Sequence, residues 1–288
     1  MKILTLSDHT TDQAAKLAAV RQSKYEAAKA AYAVKVEKQA MVVEQCHDAV
    51  RVARSQRAWW TWLKAKWRLW QEKTRYIGNA PALEAASRDE TVWNAGKDGE
   101  DRVASVLAAQ LSDEWTLIQG YHGAKGEIDQ ILVGPKAVIA IEIKNINGTV
   151  HVNGDRWTRD KYDNYGNLVE SGLAISDRSG RSPSHQVNEA ADDLREHLKS
   201  RAGVMTVFRA VVLCHEKARL GSVKAPTVQS IGTLHQLDGN VLVGRLPLIY
   251  NDVTVKAIIA NIADAHRRYR TRRPTSRTQA EQGSRVAG

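Results

Sequence analysis

Cysteine is nearly absent from the 288 residues: Cys46 and Cys214 are the only two. Far apart and in different predicted elements, they exclude a disulfide framework and a zinc-ligand spacing, and they suit a reducing compartment. Residues 1–77 contain neither glycine nor proline, and Gly78 and Pro81 then arrive together, which marks a domain boundary. No stretch approaches the roughly eighteen uninterrupted apolar residues of a membrane span, and the apolar run at Met1–Leu6 is too short for a signal peptide. A cytoplasmic protein is expected, with no membrane partner.

Net charge is +10 and unevenly distributed. Residues 1–77 hold 15 Lys/Arg against 7 Asp/Glu (+8), residues 78–266 hold 20 against 24 (−4), and residues 267–288 hold 7 against 1 (+6). Basic flanks around an acidic middle suit delivery of that middle to a polyanion; solvation of a long helix and of a disordered tail is the plainer account.

The glycine-free segment favours helix. Val36, Gln39, Val43, Cys46, Val50, Ala53, Arg57 and Trp60 step by three and four, a partly heptad stripe that needs a partner, whether another helix, a second protomer or the rest of the chain. Gln39 and Arg57 on that seam argue against a long, regular coiled coil. Trp59 to Trp70 holds five of the eight tryptophans, interleaved with Lys64, Lys66 and Arg68. Such a segment packs against a domain, stacks on nucleic-acid bases beside those cations, or lies in a membrane interface.

The most informative stretch is Gly126 to Gly148. Ile128–Val133 and Ala137–Ile143 flank Gly134-Pro135 and predict an antiparallel hairpin. Its second strand is apolar enough for a sheet centre, yet it ends in Glu142-Ile143-Lys144, putting an acid and an amine on one face. Burying unpaired charge costs several kcal/mol, roughly, so a use for it is expected. An even connection of two or four residues sets Asp129 opposite, or diagonal to, Glu142. Two converging carboxylates with a nearby lysine suit magnesium or manganese, with the ammonium steering a water or phosphate oxygen. A Glu142–Lys144 ion pair with Asp129 capping a turn is the competing account.

Asp129 followed by Glu142-x-Lys144 resembles the PD-(D/E)xK nuclease signature. Gly126-Glu127-Ile128-Asp129-Gln130-Ile131, Ile141-Glu142-Ile143-Lys144-Asn145 and Gly148 resemble its nuclease-related domain (NERD) branch. Gly99-Glu100-Asp101-Arg102-Val103 resembles the family's first motif, and Ser182-Pro183-Ser184-His185-Gln186 its helix-opening Pro-x-x-Gln. The resemblance covers about residues 95–215. It implies an α/β, restriction-endonuclease-like core with a mixed sheet of about five strands flanked by helices, preceded by a long helical or coiled-coil region. It further implies a Mg²⁺- or Mn²⁺-dependent nuclease acting on DNA. Asp129, Glu142, the Ile143 carbonyl and Glu100 would hold the metal, Lys144 would orient the attacking water, and Gln186 would fix the site.

The expected organisation is a basic helical region at 1–77, a linker at 78–98, the nuclease-like domain at 99–269 and a disordered basic tail at 270–288. Glu100 is expected in the first turn of a helix, Tyr121–Gly126 in a loop, Thr149–Val152 in the same sheet, and Asp160–Ser182 in a long surface excursion. Lys64, Lys66, Arg68, Arg178 and Arg181 are candidate phosphate contacts, and the N-terminal helix is a candidate homo-oligomer contact. The alternatives are a non-cleaving nucleic-acid-binding or assembly module and a membrane-surface protein tethered through the Trp/Lys helix.

Overall fold

The computed structural model describes residues 1–7, 9–244 and 249–272. The predicted tail lies largely outside the described residues. The chain forms two compact units, Gln13–Thr91 and Met1–Asp12 with Val92–Gly288.

In the first, the expected long helix is two helices, α1 (His9–Ser55) and α2 (Trp59–Lys73). The chain reverses at Arg57, which adopts a left-handed φ of 54°. Ala58 N–H bonds to the Ala53 carbonyl and Arg57 N–H to the Arg54 carbonyl, the reciprocal pattern that ends many helices with glycine. Arginine fills that position at a cost of about 1 kcal/mol, which is why a glycine-free sequence hid the break. Gln39 Nε2 donates to the Glu72 carbonyl, joining α1 to α2. The polar seam residue is thus a helix–helix tie.

The second unit has three layers. Its elements are β1 (Lys2–Thr5), α3 (Arg88–Gln110), β2 (Thr116–Gly123), β3 (Gly126–Val133), β4 (Val138–Lys144), β5 (Gly148–Asn153), β6 (Arg156–Tyr162), β7 (Leu168–Ala174), α4 (Pro183–Ala202), β8 (Phe208–Leu213), β9 (Ala218–Lys224), β10 (Ser230–Thr233), α5 (Gly239–Gly244) and α6 (Asp252–Arg272). A mixed six-stranded sheet runs β1-β2-β3-β4-β8-β10, and a four-stranded sheet runs β7-β6-β5-β9. On one face of the larger sheet, Val187, Ala191, Leu194, Ile258 and Ile262 of α4 and α6 meet Ile131, Val133, Val138 and Ala140. On the other, Val103 and Leu107 of α3, with Leu111 just after it, meet Leu117, Leu132, Ile139 and Ile141. Burial of β4 on both faces explains its unbroken apolar run.

Several expectations are corrected. The larger sheet has six strands rather than about five, because β1 pairs in parallel with β2, Lys2 beside Thr116 through Thr5 beside Gln119. Residues 2–5 therefore belong to the sheet and not to the helical arm. Thr149–Val152 opens a second sheet instead of extending the first. Asp160–Ser182 contains a hairpin: β6 pairs with β7, and Asp163 closes its turn by accepting the N–H groups of Tyr165 and Asn167. No residue of β7 is buried, so the strand lacks the alternation that sequence patterns detect. Tyr121–Gly126 is mostly strand, with Ala124-Lys125 as a tight turn. The linker is shorter than expected, since α3 starts at Arg88 with Ser87 Oγ accepting the Glu90 N–H. Glu100 thus lies mid-helix, beyond reach of the dipole's first turn.

Candidate active site

The β3–β4 connection is the four residues Gly134–Ala137, closed by Gly134 N–H to the Ala137 carbonyl at 3.1 Å. Pairing runs from Val133 opposite Val138 to Gln130 opposite Ile141; the next position in this register sets Asp129 opposite Glu142. At this end the hydrogen-bonded ladder gives way to a side-chain contact: Asp129 Oδ2 accepts the Ile143 N–H at 2.7 Å.

On its other side β3 is released from β2 at the same residue. Gln119 pairs with Gln130 and Tyr121 with Ile128, while Gly120 and Asp129 between them do not pair. Gly120 has φ +69°, and a Cβ there would lie 2.0 Å from the Ser7 carbonyl oxygen. Glycine is required twice over. Ser7 Oγ also donates to the Gly120 carbonyl at 2.7 Å, so the segment after β1 braces the irregularity behind Asp129.

Glu142 is 4% exposed. Lys144 Nζ lies 2.5 Å from Glu142 Oε1 and donates to Gln186 Oε1 at 3.0 Å. Gln186 in turn donates to the Arg181 carbonyl at 2.9 Å. Its helix α4 is started by Ser182, which accepts the His185 N–H, with Pro183 in the first turn. Asp155 accepts both Ser182 Oγ and Ser184 Oγ at 2.7 Å, and Trp157 Nε1 donates to Ser184 Oγ. The smaller sheet thereby anchors the helix that carries Gln186.

Glu100 approaches from α3. Gly99 is buried, and a Cβ on it would sit 2.4 Å from Cys214 Sγ; the bare backbone lets α3 lie close to β8. Gln130 Nε2 donates to the Glu100 carbonyl at 2.7 Å, and Gln130 Oε1 is buried without a partner.

The electrostatics follow from this crowding. Burial, then the Asp129 and Glu127 charges, push the Glu100 carboxyl up to about 8. Burial, then Asp129 and Glu142, do the same to Glu127. Glu142 is pushed up to about 8 by burial and by Asp129, against the pull of Lys144. Burial also raises Asp129, opposed by Lys144 and the Ile143 amide. Burial disfavours the Lys144 ammonium, yet Glu142 and Asp129 more than reverse this and raise it. Four acids therefore crowd one half-buried ammonium, and all four hold their protons above the ordinary carboxylate range, Glu100, Glu127 and Glu142 up to about 8.

Glu127 escaped the sequence reading as a site residue, although it stands two positions before Asp129. Its Oε1 is 3.4 Å from His122 Nε2. His122, expected as an ordinary loop histidine, is a strand residue whose backbone N–H donates to buried His266 Nδ1 at 3.1 Å. Arg181 is not an open phosphate contact. Its guanidinium is spent on Asp177 at 2.8 Å and Glu189 at 3.3 Å, which ties down the loop before α4. Arg178 is exposed in that loop, whereas Lys64, Lys66 and Arg68 are exposed on α2 in the other unit. A cavity of about 580 Å³ is bordered by Ile139, Ile141, Phe208, Ile231 and Leu242 and by none of the four acids. The four acids and Lys144 lie apart from that cavity.

Residues 95–214 match the family model described as the nuclease-related domain. Over this segment, less than half of its length, the chain is similar to that family. That family belongs to the restriction-endonuclease-like superfamily. No curated protein and no solved structure gives a significant match. The matched segment opens inside α3, four residues before Gly99, and closes at Cys214, the residue that Gly99 abuts. It therefore contains all four acids, Lys144 and Gln186. Among the described residues no helix is long and apolar enough to cross a membrane, and no group of three or more His, Cys, Asp or Glu side chains is gathered closely enough to hold a metal by itself.

Proposed function

We propose that the nuclease-related domain is a metal-dependent phosphodiesterase acting on nucleic acid, with DNA as the substrate. The observation that carries this reading is the meeting of Asp129, midway along β3, with Glu142 and Lys144 toward the end of β4, where Glu127 raises the proton affinity of Glu100 and Glu142 that of Glu127. The donor set fits a hard divalent cation: it is all oxygen, it is over-supplied with negative charge, and a cation would relieve the repulsion that holds protons on it. Asp129, Glu142 and the Ile143 carbonyl would hold Mg²⁺ or Mn²⁺, with Glu100 completing the set directly or through water. When bound, the ion supplies Lewis acidity toward the phosphate and a water of lowered pKa.

The chain's own groups do the rest. Lys144 holds a water by hydrogen bonding and offsets the negative charge that grows on the phosphate oxygens. Gln186 keeps the ammonium aimed, being fixed at its other end by the Arg181 carbonyl. Glu142 and Asp129 raise the proton affinity of Lys144 and so keep it charged beside a desolvated phosphate.

One feature favours a second reading, a non-cleaving nucleic-acid-binding module. Lys144 closes on Glu142, and Asp129 on the Ile143 amide, so the site satisfies itself with internal partners. Incubation with linear, circular and single-stranded DNA, with and without Mg²⁺ or Mn²⁺, decides between the two. Metal-dependent cutting lost in Lys144→Ala supports the nuclease; metal-independent binding with intact DNA in every arm supports the module.

A further inference from the structure

Helix α2 presents two different faces. At 100° per residue, Trp62, Ala65, Leu69 and Glu72 fall on one side, and these four are only partly exposed. Glu72 there meets Gln39 of α1, and Ala65 lines a small cleft with Val42, Cys46 and Ala49 of α1. Trp62 also stacks on Trp59, their ring centres 5.3 Å apart. This is the side by which α2 joins α1.

The opposite side carries Trp60, Leu63, Trp67 and Trp70. The three indoles are 75%, 62% and 62% exposed and Leu63 is 38% exposed. Nothing about helix formation requires them, and alanine or glutamine would form the helix as well. Exposed Lys64 and Arg68 border the stripe on one flank, and exposed Lys66 and Lys73 on the other. The helix has one acid, Glu72, and it lies on the inner side.

We infer that α2 is an interfacial helix that lies in the headgroup layer of a membrane bearing anionic lipids. Indoles prefer this layer, where the ring is shielded and the N–H stays hydrated. Three indoles and one leucine make a shallow wedge with no means of spanning. Cations on both borders of an in-plane stripe can each reach an anionic headgroup, their stems lying along the apolar layer. A second copy of the chain fits less well, because stripe-to-stripe packing brings these cations together. A polynucleotide strand also fits less well, since its charge runs along one edge of its bases and calls for cations on one border. This inference does not depend on whether the nuclease-related domain cuts.

The test uses the full-length protein and sedimentation with vesicles of phosphatidylcholine, with and without phosphatidylglycerol. The wild type should co-sediment with the phosphatidylglycerol vesicles, shift its tryptophan emission to the blue, and be released by high salt. The Trp60→Gln/Trp67→Gln/Trp70→Gln variant, confirmed helical by circular dichroism, should bind about tenfold more weakly or worse. Lys64→Gln/Lys66→Gln/Arg68→Gln should lose the preference for the anionic lipid. Folded wild-type protein that ignores both vesicles overturns the inference, as does equal binding by the indole variant. Emission changed by a single-stranded oligonucleotide and not by vesicles overturns it in favour of base stacking.

Discussion

Replacing Glu142 by glutamine tests the site through two independent readouts. The substitution keeps size and shape and removes one ionisable group from a position that is 4% exposed. In the fold that carboxyl holds its proton up to about 8, against an ordinary value of 4.5. Over this window the unfolded chain has released a proton that the folded protein keeps, so metal-free wild-type stability falls as pH rises, by up to about 1.4 kcal/mol per unit. Integrated over 4.5 to about 8, the ceiling is roughly 5 kcal/mol. Lys144 reduces the realised gain in the variant, because it loses its nearest counter-charge and keeps only Gln186 and the Asp129 field. Urea unfolding in EDTA should therefore find Glu142→Gln within about 1 kcal/mol of wild type near pH 5 and more stable by about 1–3 kcal/mol near pH 9. Cleavage of linear DNA in Mg²⁺ should fall by about a hundredfold or more if Glu142 is the metal ligand proposed above. A variant as pH-sensitive as wild type, or less stable at pH 9, would refute the picture of a charge-strained site. Full cleavage would remove Glu142 from the chemistry.

Gln186→Ala removes the prop beneath Lys144 without touching the acids, and should lower kcat by about tenfold with the melting temperature held within a few degrees; an unchanged rate would show that Lys144 needs no positioning. Gly99→Ala forces a Cβ to within 2.4 Å of Cys214 Sγ and should cost about 1–3 kcal/mol in urea unfolding, with Gly99→Ala/Cys214→Ala recovering part of it. Deleting residues 2–7 strips β1 and Ser7 from β2 and Gly120, so the domain should lose stability and cleavage together. Equal stability in the deletion variant would show that β1 is dispensable.

The grouping of Asp129, Glu142 and Lys144 was legible in the sequence because it depends on short-range rules. Glu142 and Lys144 share a face by the two-residue period of a strand, and an even connection of two or four residues was expected to bring Asp129 to that face; the structure uses four. The family match over residues 95–214 includes every motif read in this way. The start of α4 was also legible, from Ser182-Pro183-Ser184-His185-Gln186. Other features depend on contacts between distant residues. Lys2–Thr5 is a strand only because β2 offers an open edge, and Gly120 is obligatory only because Ser7 crosses it. Glu127 becomes part of the site only when burial and the neighbouring carboxylates hold its proton. Strand β7 buries no residue, so no hydrophobic pattern announces the hairpin it forms with β6, and the α1–α2 reversal uses Arg57 where glycine would have signalled a stop. Sequence thus determined which charged groups meet at the strand ends. Tertiary structure decided how many acids crowd one ammonium there, because proton affinity in a buried cluster is set by desolvation and neighbouring charge, which arise only once the chain has folded.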